Sequence, residues 1–281
     1  MPDQHSDSPP AQIAPAGAAL APEAATATAP AIDPAAPAHE NPRRRRHRRR
    51  TDWRQGGRTV RPWNVTVLAV ALVGVGLGVV GGGLLARAPL PWAPFASTLV
   101  LWAGMLAAIV FAFVRSRPAG LLRPKPIDLL WGVGLGLALR LLQGWLSGAD
   151  ATDFPAAPTL DGALPPSWWL TEALPAGLIA PIVEEFFFRT VVLVVVFQLL
   201  RRPVGSVAAG LTALLVSAGG FVLLHGAAGA LTLTDGIQLF AVGGTCALLV
   251  LLTGRIWGAV LTHVVYNVSY LALVVIGTTL A

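Results

Sequence analysis

Glu184 and Glu185 stand side by side in the run Glu184-Glu185-Phe186-Phe187-Phe188-Arg189, set in a long apolar stretch. On a helix, Glu185 and Arg189 are four apart and can pair along one face. Glu184 points about 100° away and is left without a local partner. A carboxylate held in apolar surroundings is a competent general base near neutral pH. An ion pair tying two helices together would account for Glu185 and Arg189, but not for the second, adjacent glutamate. Two further groups follow: Phe221-Val222-Leu223-Leu224-His225, and His263-Val264-Val265-Tyr266-Asn267, which puts His and Asn on one helical face. Of five histidines, His225 and His263 alone lie in apolar sequence. One such histidine is commonly a packing residue. Two of them, with two glutamates, an arginine and an asparagine, point to proton-transfer chemistry.

The elements that must hold these residues are membrane helices. The chain is 54% hydrophobic and 12% charged, with a mean hydropathy of +0.66, whereas a soluble domain carries about 25% charged residues. Uncharged runs of roughly 20 residues suit a hydrocarbon core of about 30 Å. Such runs cover 65–86, 95–114, 129–146 (interrupted by Arg140), 168–200, 204–226, 236–253 and 256–280. The fourth is the longest and holds Glu172, Glu184, Glu185 and Arg189. The expected fold is therefore all-α, a polytopic bundle of seven transmembrane helices, or eight if the fourth breaks at Pro175 or Pro181. Ionisable side chains in such spans cost about 2.5–3.5 kcal/mol each on insertion scales, so they are functional candidates. Arg140 is expected to snorkel or to pair within the bundle. Gly74, Gly78 and Gly82 suit close helix packing. The single cysteine, Cys246, reads as a small buried hydrophobe and excludes an internal disulfide.

Residues 1–61 read as a disordered cytoplasmic tail, Ala/Pro-rich and then Arg-rich, ahead of a membrane domain over 62–281. Residues 1–42 carry no periodic apolar pattern that could offset ordering entropy, and no basic n-region precedes an apolar segment. The arginines from Arg43 to Arg61 lie just before the first span, where they fix topology and touch anionic lipid; no nucleic acid partner is expected. With the N-terminus inside, seventeen of the twenty Lys and Arg residues fall on inner segments and only Arg87 on an outer one. Seven spans then place the C-terminus outside. At 1.5 Å per residue the motif residues lie at unequal distances from their inner helix ends, about 11 Å for His263, 24 Å for Glu184 and 32 Å for His225. Helix starts in the cytosol and a bend at Pro181 would reconcile them.

In this order on successive membrane helices, Glu-Glu-x-x-x-Arg, Phe-x-x-x-His and His-x-x-x-Asn resemble the CPBP family, the CAAX-processing and bacteriocin-processing (Abi) intramembrane proteases related to the type II CAAX prenyl endopeptidase. All three motifs match without substitution, over about residues 168–275. The resemblance implies hydrolysis of peptide bonds in a membrane-associated, CAAX-like or bacteriocin-like substrate. It makes Glu184 the catalytic carboxylate and His225 its helper in activating water. Glu185 and Arg189 become a supporting pair, and His263 and Asn267 suit an oxyanion site. A catalytic divalent metal such as zinc on Glu184, His225 and His263 is open, although no His-Glu-x-x-His sequence is present. A metal-free glutamate mechanism uses the same residues. Two other functions compete: a transporter or proton carrier using the buried charges, and a non-catalytic membrane scaffold. A carrier normally shows matching halves, and the first three spans here hold one charge and no histidine.

Overall fold

The computed structural model describes residues 51–160 and 162–280. Among them are seven long helices and no sheet. Helix α1 is Val65–Ala86, α2 Ala93–Arg115 and α3 Pro126–Leu146. Helix α4 runs without a break over residues 169–200; α5 is Gly205–Ala228, α6 Leu233–Thr253 and α7 Trp257–Leu280. All except α4 are long and apolar enough to cross a membrane, and they turn many Leu and Val side chains outward. Outward apolar surface suits a helix whose solvent is lipid. The protein is a multi-pass membrane bundle.

Local sequence explains where the helices start and how closely they meet. Asn64 caps α1 by accepting from the Thr66 amide. Asp128 accepts from the Lys125 amide at the start of α3, and Thr232 and Asp235 cap each other at the start of α6. The glycine ladder of α1 packs on α2, where a Cβ at Gly74 would stand 2.6 Å from the Gly104 carbonyl and one at Gly82 2.9 Å from that of Ser97. Small residues thus let two backbones touch. The same device joins α3 to α7, where Gly132 faces Leu261 and Gly136 faces Thr262 and Val265.

Helix α4 is the core. Residues Phe187–Phe197 are buried without exception, as expected for a helix that is apolar all round. Pro175 and Pro181 neither split it nor yield an eighth helix. Pro175 opens the π-helical turn Pro175–Ile179 and Pro181 sits in the α-helical turn that follows; further π turns lie at Trp169–Ala173 and Phe186–Val192, and π turns inside helices recur at functional sites. In the last of these turns the Phe188 carbonyl also accepts from Ser217 Oγ of α5 at 3.0 Å.

The expected boundary at residue 61 needs correction. Residues 1–50 of that tail lie outside the described residues, but 51–61 are folded against the membrane domain. Trp53–Gln55 and Arg58–Val60 form 3-10 turns, with Trp53 1% and Val60 0% exposed. Trp53 Nε1 donates to the Gly254 carbonyl at 3.2 Å, and its ring meets Phe197 edge-on at 5.2 Å. Arg54 donates to the Leu251 carbonyl, and Gln198 to that of Trp53. The Ile256 amide donates to the Leu121 carbonyl, and Arg255 bridges Asp128 at 2.5 Å. These contacts gather the segments before α1, after α2, after α4 and after α6 at one end of the bundle. That end carries the basic residues.

Candidate active site

Glu184 and Glu185 close the α-helical turn Ala180–Glu185 in the middle of α4, and Arg189 lies in the π turn that follows. Glu185 is fully buried. Its Oε2 lies 3.2 Å from Arg189 Nε, one turn further on, and its Oε1 accepts from His263 Nδ1 of α7 at 3.0 Å. Because a carboxylate paired to a guanidinium can only accept, the Nδ1 of His263 carries the proton and Nε2 is turned elsewhere. Nε2 stands 3.9 Å from Glu184 Oε2. The two adjacent glutamates therefore differ in kind. Glu185 is locked between a cation and an imidazole; Glu184 keeps 12% of its side chain exposed and, among the described residues, has His263 as its nearest charged partner, 3.9 Å away.

Arg189 is as buried as its partner. Its guanidinium lies 4.8 Å from the Phe221 ring and 5.6 Å from that of Phe188, so its terminal nitrogens meet aromatic faces rather than hydrogen-bond acceptors. Phe221 also packs edge-on against His263 at 5.5 Å and beside His225 at 4.4 Å. One ring thereby spaces the arginine from both histidines. Phe221 was legible as part of a motif, but its role as this spacer was not. Gly243 of α6 was missed altogether: a Cβ there would stand 3.2 Å from Arg189 Nη2 and 3.3 Å from the Ala218 Cα. Nothing in its local sequence marks it among so many glycines.

His225 Nδ1 donates to the Phe221 carbonyl at 2.9 Å, which leaves Nε2 as a free acceptor. Glu184 and His225 line one cavity of about 680 Å³, walled by Thr98 and Trp102 of α2 and by Thr171, Glu172 and Ala176 of α4. The unequal distances from the helix ends are resolved in this packing, because helix ends need not be level for the residues to meet. His263 sits opposite the middle of α3, and His225 lies near the end of α5.

Asn267 lies one helical turn beyond His263 on α7. It lines a neighbouring pocket with Arg140, Gln143 and Tyr266, and its Nδ2 donates to the Ala176 carbonyl at 2.8 Å. Glu172 and Ala176 form the wall common to both pockets. The structure brings Glu184, Glu185, Arg189 and His263 together, sets His225 across the same cavity, and puts Asn267 one turn away. Arg140 pairs inside the bundle. Its guanidinium donates to the Tyr266 carbonyl, Ser269 and Gln143 and stacks over Tyr266 at 4.1 Å. Cys246 is buried and donates weakly to the Ala259 carbonyl.

A divalent metal on Glu184, His225 and His263 does not fit this arrangement. Among the described residues no group of three or more His, Cys, Asp or Glu could hold an ion.

No curated protein and no solved structure matches the chain significantly. Residues 166–269, a stretch that contains all six motif residues from Glu184 to Asn267, match the family described as type II CAAX prenyl endopeptidase Rce1-like, as the motif resemblance implied.

Proposed function

We propose that the protein is an intramembrane endopeptidase of the cell membrane that hydrolyses a peptide bond of a membrane-associated substrate in the cavity holding Glu184 and His225. One observation carries this reading. Glu184, the motif glutamate not paired with Arg189, shares a cavity with His225, whose Nε2 is left over from its backbone hydrogen bond, and both lie in the stretch that matches an endopeptidase family.

In the proposed reaction a water held between Glu184 and His225 gives a proton to the Glu184 carboxylate as its oxygen attacks the scissile carbonyl carbon. The carbon–nitrogen bond then breaks, and the same carboxyl returns the proton to the leaving nitrogen. His263, fixed through Nδ1 by Glu185, packs beside Glu184 at 3.9 Å and takes no proton from the water. Asn267 keeps one N–H beyond its bond to Ala176, and that N–H serves the oxyanion.

The test is cleavage of a fixed membrane peptide by purified variants that elute normally by size. Glu184→Gln lowers the rate by about 10²–10⁴, the usual worth of a general base, and His225→Ala lowers it comparably. Asn267→Ala loses about 10²–10³, as for one oxyanion donor. Cleavage near the wild-type rate by folded Glu184→Gln overturns the assignment. A proton-coupled carrier using the same buried charges would then become the better reading.

A further inference from the structure

The cavity that holds Glu184 and His225 is lined from the end of the bundle away from the basic segments. Its outer wall is built from Pro91, Pro94 and Phe95 at the α1–α2 turn, and from Thr171 and Glu172 in the first turns of α4. His225, three residues before the end of α5, stands about 5 Å from that helix end. No lining residue comes from 51–63, 116–125, 201–204 or 254–256, the segments that carry the basic residues. The neighbouring pocket with Asn267 repeats the pattern, being bounded by Trp168, Glu172 and Val274.

The opposite end of the bundle is closed over by tryptophans, and the pocket it does carry, lined by Arg61, Gln198, Arg201 and Arg202, shares no residue with the cleft. Trp53 and Val60 are buried there, Trp63 Nε1 donates to the Ala112 carbonyl at 2.8 Å, and Trp257 Nε1 donates to that of Leu122 at 2.7 Å. The two ends also differ in charge. Apart from Arg87, the open end has no Lys or Arg in its connecting segments, and it carries Asp150, Asp153 and Glu172. Basic segments stay on the cytoplasmic side of a membrane.

We propose that the cleft takes its peptide from the membrane face opposite the arginines, so that the bond cut lies on the extracytoplasmic side of the bilayer's middle. The substrate is then a peptide anchored in or delivered to the outer leaflet. The identity of the occupant as a peptide rests on the hydrolase reading; the direction of opening does not.

Thiol accessibility in the full chain tests this. Cys246 is buried, so the wild-type protein provides the unlabelled baseline for a membrane-impermeant maleimide. Thr171→Cys, on the exposed wall of the cleft, should label in intact cells, and Arg202→Cys, at the opposite end, only after permeabilisation. Thr98→Cys on the facing wall repeats the measurement if the first variant folds poorly. Labelling Thr171→Cys from outside should also abolish cleavage of a membrane peptide. Cleft cysteines that label only after permeabilisation, or not at all, overturn the proposal, as does Arg202→Cys that labels in intact cells. So does undiminished cleavage by protein fully labelled at Thr171→Cys. A normal labelling pattern combined with cleavage that Glu184→Gln leaves unchanged would sink the hydrolase reading and spare the direction of opening.

Discussion

Changing Glu185 to Gln should do more damage to the fold than the same change one residue earlier. Glu185 has no exposed surface, lies 3.2 Å from a guanidinium that is equally buried, and accepts from His263 at 3.0 Å. Its amide replacement removes the charge that Arg189 faces and leaves that cation among Phe188, Phe221 and the backbone of α6. Breaking a buried pair by removing one partner costs about 3–5 kcal/mol, chiefly from the charge left behind. Glu184 has no such partner: His263 Nε2 is 3.9 Å away and the carboxylate is partly exposed to a cavity. Its conversion to Gln should cost under about 1 kcal/mol, within the range of substitutions that leave no buried group unpaired. The assay is thermal unfolding in one detergent, read with the yield of monodisperse protein. Glu185→Gln should lower both sharply, and Glu184→Gln neither. The double variant Glu185→Gln/Arg189→Met should recover part of the loss, because the stranded charge goes with it. If Glu185→Gln melts with Glu184→Gln, or if Arg189→Met adds its full cost to Glu185→Gln, the pair is not the strut described above.

Other outcomes follow from particular contacts. Gly243→Ala pushes a methyl against Arg189 Nη2 and the Ala218 backbone, and overpacking of this sort costs about 1–3 kcal/mol; thermal unfolding should fall accordingly, and an unchanged melting temperature would mean the guanidinium has room. Trp53→Ala empties a site that is 1% exposed and should cost about 3–5 kcal/mol, measured in the same way. Deletion of residues 1–42 should leave the elution profile in detergent unchanged, whereas deletion of 1–61 removes the Trp53 and Val60 plug and should broaden it; equal behaviour of the two truncations would refute the folded boundary. Reporter fusions at Asp150, Arg202 and Ala281 should read outside, inside and outside, with the reverse at Arg202 counting against the orientation.

What the linear sequence determined here is what depends on neighbours along the chain. Long uncharged runs specify spanning helices because a bilayer demands internal backbone bonding and about 20 apolar residues. The helical period alone pairs Glu185 with Arg189 and leaves Glu184 over. The glycine ladder of α1 declared a close helix contact without naming α2 as its partner. Helix rotation and axial shift are set by packing between residues far apart in sequence, and these were decided by the tertiary structure. His263 rather than His225 faces the two glutamates because α7 is seated deep against the middle of α3 through Gly132 and Gly136. Asn267, on the same face as His263, is drawn to the Ala176 carbonyl one turn away. Two prolines that should break a helix are carried without a break, Pro175 in a π turn and Pro181 in the α-helical turn that follows it. Trp53, read as part of a tail because its own stretch is polar, folds because Gly254, Gln198 and Phe197 supply the hydrogen bonds and apolar contact that its neighbours in sequence lack.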